Sequence, residues 1–315
     1  MKIIRSAITR RQCLSGMTAA AVASLVPELS STESERTILL VAISVETLSG
    51  ENVSDARAAY RVWIRELANQ YGVKTADTVP DIFIPSDDLI RNVRQGAIDC
   101  YGVTAIELEK LTGLTDPDSL VVQDYFSNGL EYVLIVHNQS RFKTVSDLRG
   151  ANIVSHLHRD MVLLPQWLST TLADNNLPAP EDFFASHKLN TSLTQVVLPV
   201  FFRRLDAACL TRQSWETAME LNPQLGRDLR PLLVSPRIIP IVFGFRRGIN
   251  AHSRKSLIDS IQSISTITAG AQIVALYQSK GFVVRPISAM KTTLDLIRRY
   301  DKLRAQQAGA AKGKQ

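Results

Sequence analysis

After its first 31 residues the sequence lacks any long apolar run. No stretch there approaches the ~18 apolar residues that a membrane-spanning helix needs. Its body also lacks net charge. The formal charge is +6, but residues 1–31 and residues 301–315 each carry four cations and one acid. The segment between them is therefore neutral, which argues against binding to the phosphates of a nucleic acid.

Cysteine is scarce, with three residues in the chain. Cys13 lies in the amino-terminal segment, and neither Cys100 nor Cys209 has the Cys and His spacing of a zinc site. The count alone allows a disulfide between the last two. The sequence favours two free, buried thiols, because free cysteine packs as a small apolar side chain and the two residues fall in separate predicted lobes.

Common catalytic signatures are absent as well. The chain has no G-x-S-x-G, H-E-x-x-H, G-x-G-x-x-G or P-loop sequence. Ser155, His156 and Asp160 are close along the chain, but nothing places a serine nucleophile on a sharp turn. We therefore expect a protein that is not an enzyme and that carries no cofactor.

Residues 1–31 have the pattern of an export signal, with four cations followed by a short Ala-rich apolar stretch. The sequence T-R-R-Q-C-L at 9–14 resembles a twin-arginine signal, and an ordinary Sec leader is the alternative. Cleavage near Ala23 or Ser30 would fit the preference for small residues. We expect a mature protein in the periplasm whose Ala-, Gly-, Lys- and Gln-rich tail, 301–315, is disordered.

Strands and helices alternate along the body, which is typical of a parallel α/β sheet. The predicted elements include strands at 37–44, 81–85, 97–103, 132–137, 206–211 and 238–245, and helices at 54–71, 86–95, 191–202 and 213–221. One pattern occurs twice: a helix end, an Asp and a strand of small residues that ends at a Thr, at 93–104 and 201–211. This repetition suggests two similar lobes.

Four short motifs carry a family resemblance: G-A-I-D at 96–99, D-L-R-G at 147–150, L-D-A-A at 205–208, and S-P at 235–236 ahead of an apolar strand. In this order and spacing they resemble the phosphate-, phosphite- and phosphonate-binding proteins of ABC transporters. These are two-lobed periplasmic binding proteins of type II. The resemblance extends over most of the mature chain.

The resemblance implies an α/β fold of the Venus-flytrap type, in which two α/β lobes are joined by two crossover strands. The crossovers would be 132–137 and 238–245. Lobe one would comprise 32–130 plus 246–300, and lobe two 131–245. The resemblance also implies a monomer that binds a small oxyanion and passes it to an ABC permease in the inner membrane.

Ligands of such proteins bind in the cleft, at the carboxyl ends of strands and the amino ends of helices, whose free N–H groups suit oxyanions. The family usually has a Ser/Thr/Gly-rich loop before one of these helices. This chain has there Ser155, His156, His158, Arg159 and Asp160. Arg159 could bind an anion through two hydrogen bonds, whereas Asp160 would compete with the anion or cap the helix. The alternating histidines could bind the ligand, hold a transition metal together with Asp160, or simply bond the loop backbone.

Further candidate ligand contacts lie at other strand ends and helix starts. They are Ser44, Tyr101, Thr104, Thr191, Ser192, Thr211 and Arg212. Arg212 is the strongest candidate for a charged contact, and a solvated arginine is the alternative. Thr191 and Ser192 could form a second anion site at a helix amino terminus, with ordinary helix capping as the alternative.

The sequence therefore predicts a periplasmic solute-binding protein. It would close over a small anionic, phosphonate- or phosphate-like ligand and deliver it to an ABC permease. One alternative is a periplasmic ligand-sensing or accessory protein that signals to a membrane partner. Another is a metal-binding chaperone that uses His156, His158 and Asp160.

Overall fold

The computed structural model describes residues 40–48, 53–58, 61–62, 83–266, 270–271, 274 and 279–312. The predicted export signal lies outside the described residues, as do the start of the first predicted strand and most of the helix predicted at 54–71. Within the described part of the chain, no helix combines the length and the apolarity of a membrane span.

The described strands are β1 (Val41–Ser44), β2 (Phe83–Ile84), β3 (Cys100–Thr104), β4 (Leu120–Gln123), β5 (Tyr132–His137), β6 (Asn152–His156), β7 (Ser186–Asn190), β8 (Ala207–Thr211), β9 (Leu229–Val234), β10 (Ile241–Phe245) and β11 (Phe282–Arg285). The helices that we label are α1 (Ser86–Arg94), α2 (Ala105–Leu111), α3 (Leu164–Asp174), α4 (Pro180–Phe183), α5 (Leu193–Phe201), α6 (Arg212–Leu221), α7 (Pro223–Asp228), α8 (Ala251–Gln262) and α9 (Lys291–Lys312). Short 3-10 turns follow several strands, among them Val45–Leu48 after β1, Asp124–Phe126 after β4 and Arg159–Met161 after β6.

The strands form two mixed sheets, one in each lobe. The first sheet has the order β11-β4-β10-β3-β1-β2, and the second has the order β7-β6-β8-β5-β9. Strands β1, β2 and β3 are parallel, as are β6, β7 and β8. Strands β10 and β5 run antiparallel to their neighbours. The predicted two-lobed α/β fold is confirmed.

The buried apolar residues form three clusters that follow the sheets. One cluster lies on β1, β2, β3 and β10 under α8, and another lies on β5, β6 and β8 under α5 and α6. The largest cluster contains residues of both sheets, for example Tyr101 in β3 and Ile153 in β6. Apolar burial therefore stabilises each lobe and also the junction between them.

Two chain segments connect the sheets, and they pair with each other. The Leu130 N–H donates to the Ile238 carbonyl at 2.8 Å, and the Ile238 N–H donates to the Leu130 carbonyl at 2.9 Å. The first segment leads directly into β5, whose bounds match the strand predicted at 132–137. Within the described residues, the chain passes between the sheets at these two segments, from β4 to β5 and from β9 to β10.

The second predicted crossover, 238–245, contains the paired residue Ile238 and, after it, strand β10. Strand β10 pairs with β3 and β4 in the first sheet, so lobe two ends before β10 and not at residue 245. Close packing explains this pairing. A Cβ on Gly102 would lie 2.9 Å from the Phe243 ring, so the absent side chain makes room for that ring.

The predicted disorder of the tail was wrong for residues 301–312, because α9 continues to Lys312. The segment is rich in Ala, Gln, Lys and Arg, which are strong helix formers. Helix α9 follows β11 of the first sheet and packs against α3 of lobe two, where Arg299 forms an ion pair with Asp174. This helix therefore ties the two lobes together.

Both cysteines within the described residues are free and buried, which confirms the prediction. Cys100 lies in β3 and Cys209 lies in β8, so the two thiols belong to different sheets. Burial raises the pKa of each thiol to about 12. Both side chains are therefore protonated, apolar core groups at neutral pH.

Gly129 and Gly150 provide a test of the crossover geometry. Both have positive φ, but a Cβ on Gly129 would lie 2.8–2.9 Å from atoms of Arg237 and Ile238, whereas a Cβ on Gly150 would meet nothing within 4 Å. We expect Gly150→Ala to lower the free energy of unfolding by ~1 kcal/mol. Gly129→Ala should lower it by more than ~2 kcal/mol, because the clash adds to the strain. Urea-induced unfolding measures both, and equal losses would contradict this account of the crossover.

Candidate functional site

The carboxyl ends of strands from both lobes meet at one cleft. The 3-10 turn after β1, Val45–Leu48, contacts the 3-10 turn after β6, Arg159–Met161. Helices α2 and α6 begin at the ends of β3 and β8. In two-lobed α/β proteins such an edge is where ligands bind, because helix amino termini and loop side chains converge there.

On the lobe-one side, the Glu107 carboxylate accepts hydrogen bonds from two of the hydroxyls that were predicted to bind the ligand. The Ser44 hydroxyl donates to Glu107 Oε1 at 2.5 Å, and the Thr104 N–H and hydroxyl donate to Glu107 Oε2 at 2.8 and 2.9 Å. Thr104 and Glu107 form a capping box at the start of α2. Ser44 and Thr104 therefore lie at the predicted edge, but their hydroxyls stabilise the helix start.

Tyr101 does not lie at the carboxyl end of its strand, and its predicted placement was wrong. It is the second residue of β3, and its hydroxyl lies 2.7 Å from Thr115 Oγ1 in the loop after α2. The side chain is fully buried, and burial raises its pKa to about 12. The prediction failed because the strand extends to Thr104, which leaves Tyr101 inside the sheet.

On the lobe-two side, the side chains of the 155–158 segment bond to nearby strands and loops. The Ser155 hydroxyl lies 2.7 Å from His187 Nε2, and His156 Nε2 lies 3.2 Å from the Thr191 carbonyl oxygen. The rings of His156 and His158 stack with their centroids 5.4 Å apart. These contacts hold the loop on β7 and on the start of α5.

Arg159 and Asp160 are buried at the centre of the cleft. Arg159 is 0% exposed and Asp160 is 4% exposed, and the Arg159 Nε lies 3.7 Å from Asp160 Oδ1. Tyr125, from the turn after β4 in lobe one, donates its hydroxyl to Asp160 Oδ2. Burial and the neighbouring Asp160 carboxylate raise the pKa of Tyr125, so its hydroxyl keeps the proton that it donates.

The backbone of this turn is fixed by Tyr132. Its hydroxyl donates to the Asp160 carbonyl oxygen at 2.6 Å and accepts from the Leu163 N–H at 3.2 Å. Helix α3 begins four residues after Asp160, with Leu163 at its N-cap position, so Asp160 does not cap this helix as suggested. The carboxylate is instead held inside the cleft.

The remaining predicted residues lie at the starts of α5 and α6. Thr191 is exposed and offers its carbonyl to His156, and Ser192 is the N-cap residue of α5 without a side-chain capping bond. Thr211 caps α6 and accepts from the Ser214 N–H at 3.1 Å. Their roles in ligand binding stay predictions.

Arg212 has a carboxylate partner that the sequence analysis did not identify. Its Nε donates to Glu131 Oε2, and the other oxygen of Glu131 lies 3.7 Å from the Arg237 Nε. Glu131 stands directly before β5, on the first crossover segment. The positive charge of Arg212 is therefore already balanced at the crossover.

The suggested metal set of His156, His158 and Asp160 is not assembled. In the part of the chain that the structure describes, no group of three His, Cys, Asp or Glu side chains could hold a metal ion. His156 Nε2 faces the Thr191 carbonyl, and His158 Nδ1 accepts from the Asp160 N–H at 3.3 Å. One ring nitrogen of each histidine is therefore engaged by the protein backbone.

Sequence reasoning missed three polar residues of the cleft: Glu107, Tyr125 and Glu131. Tyr125 lies two residues after the end of β4, and Ser44 is the last residue of β1, so a search around strand ends could have found Tyr125. Glu107 stands three residues after Thr104, which is the spacing of a capping box. Glu131 carries no local signal, because its partners Arg212 and Arg237 are distant in the sequence.

Residues 46–286 match the family of ABC transporter, phosphonate, periplasmic substrate-binding proteins. The chain belongs to this family. No curated protein matches the sequence. The family assignment agrees with the order of the four motifs and with the two sheets joined at paired crossover segments.

Solved structures of similar fold include binding proteins from this family. The Xanthomonas citri protein XAC2383 bound to ATP has a TM-score of 0.59 at 15% identity, covering 85% of this chain and 98% of that one. PhnD1 from Prochlorococcus marinus in complex with methylphosphonate has a TM-score of 0.55 at 15% identity, covering 84% and 99%. A binding protein component of an ABC phosphonate transporter from Pseudomonas aeruginosa has a TM-score of 0.50 at 14% identity, covering 88% and 99%. These likenesses establish the fold.

The pH dependence of the free energy of unfolding tests whether His156 and His187 are buried as the structure shows. Burial lowers the pKa of His156 and of His187 below the usual 6.5. Below pH 6.5 the unfolded chain therefore binds more protons than the folded chain, so the free energy of unfolding should fall as the pH drops toward the folded-state pKa. Each histidine contributes at most ~1.4 kcal/mol per pH unit.

We expect His187→Gln to reduce this slope between pH 7.5 and pH 5.5, measured by urea-induced unfolding at each pH. His252→Gln is the matched control, because His252 is exposed at the start of α8. An unchanged slope in His187→Gln, or an equal reduction in both variants, would contradict the assignment.

Proposed function

We propose that this chain is an exported periplasmic solute-binding protein that captures a small anion between its lobes and delivers it to an ABC permease in the inner membrane. Membership of the substrate-binding family supports a ligand and a membrane partner. PhnD1, which has the same fold, is described in complex with methylphosphonate. We further propose that the protein acts as a monomer after removal of its signal peptide.

The main support for an anionic ligand is the burial of Arg159 at the cleft. A guanidinium that is 0% exposed attracts an anion more strongly than one in water, because the surrounding dielectric is low. It also offers several donors in one plane, which match phosphoryl oxygens. The Tyr125 hydroxyl adds a donor from the opposite lobe.

Asp160 determines how such an anion would bind. Its carboxylate lies 3.7 Å from the Arg159 guanidinium and accepts from Tyr125, so it occupies donors that an anionic ligand needs. Two anions close together repel each other strongly in a buried site. We infer that the ligand displaces the Asp160 carboxylate from Arg159 and Tyr125, so that binding is an exchange of one anion for another.

Lobe movement would accompany this exchange. The Tyr125–Asp160 bond and the contact between the turns after β1 and β6 join the two lobes. Opening breaks these contacts, and closure around a ligand forms new ones. The motion would occur at the paired crossover segments near Leu130 and Ile238, where two backbone hydrogen bonds hold the lobes in register.

Substitution of the central ion pair tests the proposal with methylphosphonate as the ligand. Asp160→Asn removes the competing charge and should tighten binding at least ~10-fold, whereas Arg159→Gln should weaken it at least ~10-fold. Isothermal titration calorimetry measures both constants. The same two changes at an exposed ion pair, Asp88→Asn and Arg91→Gln, are the matched controls.

Opposite effects in the cleft and none at the exposed pair would support the exchange. If Asp160→Asn weakens binding as much as Arg159→Gln does, the carboxylate is a ligand contact and the exchange is wrong. Because Arg159→Gln removes a buried charge, a thermal unfolding scan accompanies each variant. Asp160→Asn still decides the question if Arg159→Gln does not fold.

A second candidate function has its own observation. The lobes are already joined by Tyr125 and Asp160, which are groups of the protein itself. A protein whose lobes stay closed without a solute would suit a sensing or accessory role toward a membrane partner. Small-angle X-ray scattering separates the two functions. Transport predicts a smaller radius of gyration with saturating methylphosphonate, and the accessory role predicts the same compact form with and without it.

A further inference from the structure

A cavity of about 450 Å³ lies between lobe two and α9, beside the cleft, and shares His156 and His158 with the cleft's lobe-two side. Its walls come from α3, α4, β7 and the loop after β6, and Tyr300 of α9 closes one side. Arg159, Asp160 and Tyr125 are not among its lining residues. The volume is in the range of sites for small molecules, which is roughly 300–1,000 Å³. We propose that this α3–α9 cavity is a second ligand site, which binds an uncharged, mainly apolar molecule.

The walls of the α3–α9 cavity are largely apolar. Three of the apolar lining residues are buried: Met161, Leu164 and Leu168. Two others, Leu157 and Leu189, are 39% and 58% exposed. Exposed leucines beside a cavity leave apolar surface in contact with water, and covering this surface would favour binding of an apolar occupant. The body of the ligand is therefore apolar.

The charges around the cavity exclude an anion. No lining residue is a lysine or an arginine, and Glu181 contributes a carboxylate. The third lining histidine, His158, lies 3.6 Å from the Asp160 carboxylate, which balances any positive charge on its ring. Burial lowers the pKa of His156 and His187, so both rings are uncharged at neutral pH. An anion would have no counter-charge here, which is the opposite of the environment around Arg159 in the cleft.

His156 contributes a buried imidazole to the wall of the cavity. Its Nε2 faces the Thr191 carbonyl oxygen, which can only accept, so in the neutral ring Nε2 carries the hydrogen and Nδ1 is an acceptor. His156 is 8% exposed, and its Nδ1 has no hydrogen-bond partner among the described residues. This nitrogen is itself closed off from solvent, so an occupant of the cavity cannot bond to it, and His156 offers the ligand no polar contact.

The site goes beyond the proposed anion transport, because its position and ligand charge both differ from those of the cleft. It also involves both lobes. Tyr300 belongs to α9, which follows the first sheet, whereas the other lining residues belong to lobe two. An occupant therefore contacts the two lobes at once and adds to the connection that α9 makes with α3.

Two fluorescent probes that share one skeleton test the inference on the purified full chain. N-phenyl-1-naphthylamine is neutral and apolar, and 8-anilinonaphthalene-1-sulfonate is the same skeleton with a sulfonate. We expect one neutral probe per chain, detected by its fluorescence increase. The sulfonate should bind at least ~10-fold more weakly, because its charge lies near Glu181 without a counter-ion. No binding of the neutral probe, or tighter binding of the sulfonate, would overturn the proposal.

Two substitutions at one position locate the probe. Ser169 lines the cavity from α3 and is half-buried, so Ser169→Trp should fill the cavity and weaken the neutral probe at least ~10-fold. Ser169→Ala is the matched control and should bind as the unaltered chain does. Equal binding by both variants would overturn the assignment.

A third variant covers the case in which Ser169→Trp does not fold. Leu189→Asp places a carboxylate on the exposed wall, where folding should tolerate it, and it should weaken the neutral probe by a similar factor. Saturating methylphosphonate should not displace the probe. Displacement would place the probe in the cleft and overturn the second site, while leaving the cleft's proposed function intact.

Discussion

A buried arginine and a buried aspartate at the contact between two lobes are the constraint on which the rest of the cleft depends. Neither charge can leave water without partners. The requirement is met from both sides: Tyr125 reaches Asp160 from lobe one, and Tyr132 holds the backbone of the same turn. In the proposed motion, opening the lobes would remove the Tyr125 partner of this ion pair, and closure would require that bond or a ligand to replace it.

The edges of the two sheets show how a binding fold can use its own polar groups. At the starts of α2 and α6, Thr104 and Thr211 bond to groups of their own helices, and Ser44 bonds to Glu107. These bonds stabilise the helix starts, but they leave fewer free donors for a solute. The proposed anion binding would therefore depend on the guanidinium of Arg159 more than on hydroxyl groups.

The two candidate sites differ in charge because their surroundings differ. The cleft has a buried arginine beside a carboxylate, whereas the α3–α9 cavity has largely apolar walls and Glu181. Helix α9 lies beside the cavity and packs on α3. A single helix thus connects the first sheet, the second lobe and the cavity, so the packing of α9 bears on the relative position of the lobes.

The sequence by itself determined the alternation of strands and helices, the bounds of β5, the two free thiols and the family, because local periodicity and short motifs encode these features. Only the tertiary structure decided which sheet β10 joins and which partners Arg212, Arg159 and Tyr101 have. Those choices depend on residues far apart in the chain, such as Glu131 and Arg212 or Tyr125 and Asp160. The tail combines both kinds of feature. Its composition favours a helix, which is a local property, but its packing on α3 depends on the tertiary structure.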